Sequence, residues 1–308
     1  MLVITGSSGF IGTHLTKSLY GKQTLLLRRG CASQSNGNIL YTNSPSELLS
    51  HSERFSKSDV IIHLAGLAHV KGAPAEAFFR ANVAYPVELF KVAEKLELKR
   101  FVFISTVGVN GESTLGVPFS DCSSIEPHNE YARSKYQAEA QLQALSEKSK
   151  VELVIVRPPL VYGANAPGNF HLLTKLISTF GVTPFGLIKN ARSFVAVENL
   201  CSLIKVCAEH SAAAGHIFYP SDQDVLSTKD FASNIAKGLG RKVVHLPIPI
   251  SCLRLIGYLL GKKAMINQLV RDLEVDSSSA SRLLGWTAPL STSRAMRSLK
   301  EKYYDTSD

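Results

Sequence analysis

Short apolar runs alternate with longer amphipathic stretches through the first half of the chain. The apolar runs predict strands near residues 2–5, 23–28, 59–64, 100–105 and 151–156. Apolar positions at helical spacing predict long helices near 75–96 and 130–149. Strands that alternate with helices are typical of a parallel sheet covered on both faces. We therefore predict an α/β fold with a doubly wound parallel sheet.

Beyond Arg157 the alternation gives way to segments interrupted by Pro and Gly, with further strand candidates near 193–197, 215–219 and 242–246. The pattern predicts a sheet domain over 1–160, with return segments near 190–220, and a smaller C-terminal lobe mainly over 161–308. The apolar run 193–197 is a buried strand that could return to the first sheet.

Three glycines, Gly6, Gly9 and Gly12, follow the first predicted strand and open a helical pattern. Glycines in such a turn let the backbone approach a pyrophosphate, while the N–H groups and dipole of the next helix face its negative charge. A tight strand-to-helix connection would use the same glycines. The preceding strand and the following helix favour the nucleotide-binding interpretation.

Composition, net charge and the length of apolar stretches exclude several classes of protein. The chain has 308 residues, of which 45% are hydrophobic, so it can bury a substantial core. Its net charge of +9 comes from scattered basic pairs rather than long basic runs, so we expect no nucleic-acid partner. The first strand leaves no room for a signal peptide, and the longest apolar stretch, around Leu253 to Leu260, is too short to span a bilayer. We expect a cytoplasmic protein without membrane insertion.

Cysteines and histidines show no pattern of a disulfide framework or a metal site. The cysteines are odd in number, include no C-x-x-C, and lie at Cys31, Cys122, Cys201, Cys207 and Cys252. The nine histidines likewise lack metal-ligand spacing. We predict buried thiols and no metal.

Candidate catalytic groups lie on the second long helix and at the end of the fourth strand. Tyr131 and Lys135 are four residues apart, so they share one helix face. Free Tyr has a pKa of about 10, so a nearby cation is needed to favour the phenolate as a base near neutral pH. This spacing is also frequent on solvated helices. Ser105 and Thr106 add hydroxyl groups at the strand end, where such sheets bind ligands.

Six motifs occur in order over roughly residues 1 to 200: Thr5-Gly6-x-x-Gly9-x-x-Gly12, Asp59-Val-Ile-Ile-His-Leu-Ala-Gly66, Asn82-Val83, Ile104-Ser-Thr106, Tyr131-x-x-x-Lys135 and Arg157-Pro-Pro-x-Val-Tyr-Gly163. With these motifs the chain resembles the extended short-chain dehydrogenase/reductases of the NAD-dependent epimerase/dehydratase family, in the branch that acts on nucleotide sugars. The resemblance implies a Rossmann-type sheet and hydride exchange at a secondary alcohol or ketone.

The same resemblance assigns catalytic roles. Tyr131 is the acid/base, Thr106 hydrogen-bonds the reacting sugar oxygen, and Lys135 holds the nicotinamide ribose and biases Tyr131. Ser105 is the alternative hydroxyl beside the substrate. Related 4,6-dehydratases carry an acidic pair where this chain has Val107 and Gly108, so dehydratase activity is not expected.

The implied cofactor contacts are Gly6, Ser8, Gly9, Phe10, Ile11, Gly12, Arg28, Arg29, Leu64, Ala65, Gly66, Asn82, Tyr131, Lys135 and Pro158. NAD-selective folds place an acidic residue about 20 residues after the Gly-rich turn, whereas arginine suits the 2′-phosphate of NADP. The second strand ends in Arg28-Arg29, with no acidic residue before Glu47. The sequence therefore favours NADP(H) over NAD(H), although NAD(H) remains possible because the arginines could be plain surface charge.

Substrate contacts come from a segment that resembles those of UDP-hexose enzymes. By that likeness Arg192 and Asn169 bind the diphosphate, and Phe185 flanks the uracil; a guanidinium fork pairs two phosphate oxygens. Arg271 is a second phosphate candidate, although its spacing departs from the epimerase pattern. A core Phe and solvated arginines are the alternative interpretations.

The overall pattern, including Val109-Asn110-Gly111-Glu112 after Thr106, looks closest to enzymes of surface-polysaccharide sugar synthesis. By this resemblance the favoured activity is NADPH-dependent reduction of a UDP-2-acetamido-2,6-dideoxy-4-hexulose at C4. The alternative is a UDP-glucose or UDP-N-acetylglucosamine 4-epimerase with tightly bound NAD. A non-catalytic nucleotide sensor is a remote third reading.

In the family the helices near 75–96 and 130–149 pair across a two-fold axis, so we expect a homodimer. Their apolar positions could equally be sheet-facing core, and include Phe78, Phe79, Val87, Leu89 and Phe90.

Overall fold

The computed structural model describes residues 1–19, 21–30, 38–68 and 72–304, without the side chains of Arg29 and 301–304. Its strands are β1 Leu2–Thr5, β2 Thr24–Arg29, β3 Ile39–Thr42, β4 Val60–His63, β5 Arg100–Ile104, β6 Glu152–Val156, β7 Leu160–Tyr162, β8 Val182–Thr183, β9 Phe194–Ala196, β10 Ile217–Phe218 and β11 Val244–His245. Seven of them form one parallel sheet in the order β10-β6-β5-β4-β1-β2-β3. This order confirms the predicted doubly wound Rossmann-type fold.

The helices are α1 Phe10–Ser18, α2 Ala75–Phe79, α3 Tyr85–Lys95, α4 Glu130–Ser146, α5 Asn169–Phe180, α6 Val197–Glu209, α7 Thr228–Gly238, α8 Ile250–Leu259, α9 Lys263–Val270, α10 Ser278–Leu284 and α11 Thr292–Tyr304. A π-helical turn, Arg80–Ala84, joins α2 to α3, so the predicted helix near 75–96 is continuous but locally widened. No helix among the described residues is long and apolar enough to cross a membrane.

Both faces of the seven-stranded sheet are covered, as alternate residues of each strand require. Ile4 and Val102 pack on one face against Leu200 of α6. Val3 and Phe101, their neighbours in sequence, pack on the other face with the helices α3 and α4. Burial on both sides explains why these strands are continuous apolar runs.

The C-terminal lobe has a hydrophobic core of its own, centred on aromatic side chains. Phe194 of β9 stacks on Phe231 of α7, with ring centroids 3.7 Å apart. Tyr162 meets the same ring edge to face at 5.3 Å. The core is therefore built between β7, β9 and α7.

One predicted strand pairing is wrong, and the three short strands β3, β7 and β8 were not predicted. The run 193–197 forms β9, which pairs in parallel with β7 instead of returning to the main sheet. The run 215–219 does return, as β10 beside β6. Edge strand β3 was not predicted, because only four residues with half-buried Ile39 and Tyr41 mark it in the sequence. An apolar run indicates burial, but it does not identify the partner strand.

Most of the apolar positions considered for a dimer interface belong to the core. Leu89 and Phe90 are fully buried beneath the sheet, and Phe78 is 7% exposed. Phe79, at 43%, is the exposed exception. The homodimer therefore stays a prediction with little support from these side chains.

Candidate active site

The Gly-rich turn after β1 leaves no room for side chains at two of its glycines. Gly6 has φ +71°, and a Cβ there would lie 2.6 Å from the backbone nitrogen of Ala65. A Cβ on Gly12 would lie 2.1 Å from the carbonyl oxygen of Gly6. Gly9 caps the start of α1 with extended backbone. The turn is therefore held against the end of β4, where the predicted contacts Leu64, Ala65 and Gly66 follow.

The N-terminus of α1 opens on free space suited to a phosphate group. A cavity of about 360 Å³ lies beside the turn, lined by Ser8, Gly9, Phe10, Thr13, His14, Lys17, Asn165 and Pro167. Ser7 is buried, and its Oγ has no hydrogen-bond partner among the described residues. Ile11, the remaining predicted contact here, is half-buried in α1. Excluded side chains, an unpartnered hydroxyl and a helix N-terminus together fit the pyrophosphate of a dinucleotide.

Asn82 joins the loop after β4 to helix α4. Its side-chain oxygen accepts from the Leu67 N–H at 2.7 Å, and its amide donates to the Leu67 carbonyl at 3.0 Å. The same amide donates to Ser134 Oγ at 2.9 Å. Asn82 therefore fixes the predicted cofactor loop in position relative to the helix that carries Tyr131. Pro158 is buried, and its carbonyl accepts the Val107 N–H at 3.0 Å.

Arg28 lies at the carboxyl end of β2, next to the Gly-rich turn in the sheet. Its Nε is buried without a hydrogen-bond partner among the described residues. The side chain of Arg29 lies outside the described residues, as does Cys31. Arg28 therefore lies at the carboxyl edge of the sheet, and its Nε is a donor without a partner among the described residues.

The hydroxyl residues at the end of β5 face the start of α4. Thr106 begins the 3₁₀ turn Val107–Val109, and its Oγ1 accepts from the Gly108 N–H at 3.2 Å. A Cβ on Gly108 would lie 3.4 Å from Thr106 Oγ1 and 3.5 Å from the Cβ of Ala132. The fold therefore brings Thr106 to the helix residue that follows Tyr131. Ser105 is 3% exposed, and its Oγ has no partner among the described residues.

Lys135 is buried over the sheet, one helical turn beyond Tyr131. Its Nζ lies 3.9 Å from the centroid of the Phe103 ring. Burial lowers the pKa of Lys135 to about 7, and the negative charge of Glu139 opposes this shift. Burial also raises the pKa of Tyr131 to about 12.

The expectation that Lys135 favours the Tyr131 phenolate stays a prediction, and burial of both groups opposes it. Removing the phenol from water disfavours its charged form, and the same desolvation disfavours the charge on Lys135 that would have offset it. Tyr131 is a protonated phenol near neutral pH.

Sequence reasoning missed a buried ionic network beside helix α4. Arg157 Nη2 donates to Glu139 Oε2 at 2.5 Å, and its Nη1 donates to Tyr219 at 2.6 Å and to Asn110 Oδ1 at 3.1 Å. Glu139 is fully buried. Glu139 lies one turn after Lys135 on α4, a spacing that could have indicated its place beside the site.

Two predicted substrate contacts meet in the lobe. Asn169 and Arg192 line a small cavity of about 50 Å³. Asn169 donates to Gln268 Oε1 at 2.7 Å, and Arg192 Nη1 donates to the Arg271 carbonyl at 2.8 Å. Burial lowers the pKa of Arg192 to about 10, and the charge of Asp272 opposes the shift. The Arg192 guanidinium is therefore a cation at neutral pH. Among the described residues, no carboxylate forms a hydrogen bond with it.

The other two substrate candidates lie elsewhere. Phe185 is 4% exposed within the core of the lobe and does not line this cavity. The side chain of Arg271 forms an ion pair with Glu112 at 2.7 Å, in the segment that follows Thr106. The structure thus brings Asn169 and Arg192 together, while a uracil contact for Phe185 stays a prediction.

Comparison with known proteins shows the family to which this chain belongs. The NAD dependent epimerase/dehydratase family matches residues 2–219. The chain is 36% identical to a UDP-glucose 4-epimerase of Vibrio cholerae over 297 residues, which cover 94% of this chain and 90% of that protein. It is 24% identical to the N-acetyl-alpha-D-glucosaminyl-diphospho-ditrans,octacis-undecaprenol 4-epimerase of Escherichia coli O157:H7, with 87% and 83% covered.

Solved structures agree on the fold. The crystal structure of UDP-glucuronic acid 4-epimerase from Bacillus cereus in complex with NAD superposes with a TM-score of 0.76 at 20% identity, and the match covers 100% of this chain and 99% of that one. The extent of the family match and the near full-length relative lead to one conclusion: this chain is a member of the NAD dependent epimerase/dehydratase family.

Proposed function

We propose that this protein is an NAD(P)-dependent oxidoreductase that acts at C4 of a UDP-linked hexose. The observation that carries the proposal is the approach of Thr106, at the carboxyl end of β5, to the first turn of α4, which carries Tyr131 and Lys135. In the same sheet the turn after β1 excludes side chains and leads into a helix N-terminus. These groups suit proton transfer to and from an oxygen beside a bound dinucleotide.

When bound, a nicotinamide cofactor supplies or accepts the hydride. Tyr131 holds the proton that is exchanged with the C4 oxygen, and the raised pKa keeps its phenol protonated near neutral pH. The Thr106 hydroxyl, half-buried at the strand end, stabilises charge that develops on the same oxygen. Lys135, below Tyr131 on α4, is placed to bind ribose hydroxyls.

The substrate class is inferred from Arg192 and from the relatives. A buried guanidinium beside Asn169 suits a diphosphate, because its planar fork pairs two oxygens. The named activities of the Vibrio cholerae and Escherichia coli relatives are both 4-epimerisations of diphosphate-linked sugars. A UDP-hexose satisfies both observations.

Two C4 reactions use these residues. Reduction of a UDP-2-acetamido-2,6-dideoxy-4-hexulose with NADPH is supported by Arg28, whose buried Nε has no hydrogen-bond partner among the described residues. Epimerisation of UDP-glucose or UDP-N-acetylglucosamine with bound NAD is supported by the 36% identical relative. Both reactions are oxidoreductions at C4 of a UDP-linked hexose. They differ in whether the protein keeps its cofactor tightly bound.

Cofactor content separates the two reactions. The freshly purified protein is denatured, the released nucleotide is identified, and the emptied protein is titrated with NADPH and NADH. Stoichiometric NAD that survives purification indicates the epimerase, whereas an empty site that prefers NADPH indicates the reductase. A protein that binds neither nucleotide would contradict the proposed function altogether.

A homodimer through the helical stretches near 75–96 and 130–149 is part of the proposal. It is supported by exposed aromatic side chains on the neighbouring helices, Phe79 on α2 and Tyr136 on α4. Sedimentation velocity of the purified protein measures it directly, and a monomer at micromolar concentration would contradict it.

A further inference from the structure

Helix α8 has an apolar surface that no other part of the described chain covers. Within the helix only Leu253 and Gly257 are buried. The exposed fractions are 59% for Leu255, 48% for Ile256, 69% for Tyr258, 71% for Leu259 and 64% for Leu260, which follows the helix. Helices of soluble proteins normally turn polar side chains outward, so a contiguous exposed apolar face marks an interaction site.

The segment that carries this face has basic residues and no acidic ones. The chain carries no aspartate or glutamate between Leu246 and Arg271. Arg254, Lys262 and Lys263 in that stretch are exposed and form no ion pair within the described part of the chain. The segment that carries the apolar face is therefore positively charged.

The face is held rigidly on the lobe. A Cβ on Gly257 would lie 2.5 Å from Ile266 Cγ1, so α8 and α9 are in close contact. Leu253 of α8 and Val270 of α9 belong to the core of the lobe. Asn190 donates to the Leu269 carbonyl at 3.1 Å, which fixes the end of α9. The exposed side chains thus sit on a preformed surface.

We propose that helix α8 and the following turn Leu260–Lys263 dock on the surface of an anionic lipid bilayer. Apolar side chains of such a helix enter the headgroup region, while adjacent Lys and Arg attract acidic headgroups. Tyr258 suits the boundary between apolar and polar layers. The helix lies in the interface and does not cross the bilayer.

Charge argues against a second copy of the chain as the occupant. An isologous contact through α8 would bring Arg254, Lys262 and Lys263 of two copies together, and no carboxylate between Leu246 and Arg271 would neutralise them. An anionic bilayer supplies the missing negative charge. It also accepts the apolar face.

Docking would place the substrate lobe at the membrane. Helix α9, which packs on α8, carries Gln268 and Leu269, and both line the cavity with Asn169 and Arg192. The helix pair α8–α9 therefore carries the docking surface and also supplies part of the cavity lining. This placement does not depend on which C4 reaction the protein performs.

The test is co-sedimentation of the full-length protein with vesicles of phosphatidylcholine and phosphatidylglycerol in equal parts, against vesicles of phosphatidylcholine alone. We expect binding to the mixed vesicles that weakens with salt. Arg254→Gln/Lys262→Gln/Lys263→Gln should lower the partition coefficient on the order of 100-fold. Tyr258→Ser/Leu259→Ser should lower it at least about tenfold.

Matched controls change the same side chains elsewhere. Lys95→Gln/Lys148→Gln/Lys150→Gln removes three exposed lysines, and Leu115→Ser/Val117→Ser removes two exposed apolar side chains. Both should bind as the wild type does, and thermal unfolding checks that every variant is folded. Equal loss in the controls, or equal binding to neutral vesicles, would overturn the proposal. So would α8 variants that change the sedimenting mass of the protein but not its vesicle binding, because the face would then be an interface between copies.

Discussion

At the residue scale, burial acts in opposite directions on the two groups that define the site. It raises the pKa of Tyr131 to about 12 and lowers that of Lys135 to about 7. Both shifts favour the neutral form, since charge is costly away from water. Burial therefore favours the protonated phenol of Tyr131 and the neutral amine of Lys135. That state suits proton donation to a ketone oxygen.

Replacing Tyr131 with Phe removes the exchangeable proton without changing the ring. We expect turnover to fall by at least about 100-fold, the usual size of a general acid–base contribution, while cofactor affinity changes little. Steady-state rates and fluorescence titration measure the two. Tyr136→Phe is the matched control on the same helix, since Tyr136 is 37% exposed. Loss of both turnover and cofactor binding would contradict the acid/base role.

Lys135 should make the stability of the fold depend on pH. Its folded pKa of about 7 lies below its ordinary value of 10.5, so the unfolded chain binds more protons between these values and stability rises with pH across them. Relative to Lys135→Met, the free energy of unfolding of the wild type should rise by about 2 kcal/mol from pH 7 to pH 9.

Urea unfolding at several pH values measures that difference. Lys148→Met changes an exposed lysine beyond the end of the same helix and should leave the rise intact. Parallel curves for the wild type and Lys135→Met would show that Lys135 is not buried in this way.

Arg28 should determine the preference between the two nicotinamide cofactors. Arg28→Asp replaces a donor for the 2′-phosphate with a like charge, so NADPH affinity should fall at least about tenfold while NADH affinity is kept. Isothermal titration gives both dissociation constants. Arg282→Asp makes the same charge change on exposed α10, which packs near the opposite edge of the sheet. An unchanged preference in Arg28→Asp would contradict the 2′-phosphate assignment.

At the element scale, the sequence predicted the strands that are buried on both faces and was less successful elsewhere. β1, β2, β4, β5 and β6 lie within one or two residues of their predicted positions, because continuous apolar runs identify them. β9 was assigned the wrong sheet, since its run 193–197 carries no information about its partner β7. The π-turn around Asn82 also has no sequence signal.

Helix α4 and strand β6 are joined by a buried ion pair whose loss should be costly. Glu139→Gln would leave the buried Arg157 guanidinium without its carboxylate, and we expect about 3 kcal/mol of lost stability. Glu130→Gln breaks an exposed pair with Arg133 on the same helix and should cost less than about 1 kcal/mol. Denaturant unfolding compares them, and equal costs would contradict the structural role of the Glu139–Arg157 pair.

At the scale of the whole molecule, the candidate site is assembled from segments distant in sequence. Spacing alone could place Tyr131 and Lys135 together, and motif order could add Thr106. Neither spacing nor motif order could reveal that Asn169 donates a hydrogen bond to Gln268, or that Arg271 forms an ion pair with Glu112. Those contacts depend on how α5 and α9 pack, which no local pattern specifies. The same packing leaves the apolar face of α8 uncovered.

Isotope tracing at C4 tests the central claim most directly. The protein is given UDP-glucose or UDP-N-acetylglucosamine deuterated at C4 and, separately, a UDP-4-keto sugar with deuterated NADPH, and each product is analysed by NMR. If the protein is an epimerase, the account predicts that the deuterated UDP-sugar is inverted at C4 and keeps its deuterium. If it is a reductase, the account predicts that deuterium from NADPH appears on C4 of the reduced sugar. Tyr131→Phe should abolish either signal. Unchanged C4 in both reactions, or label transfer that survives in Tyr131→Phe, would contradict it.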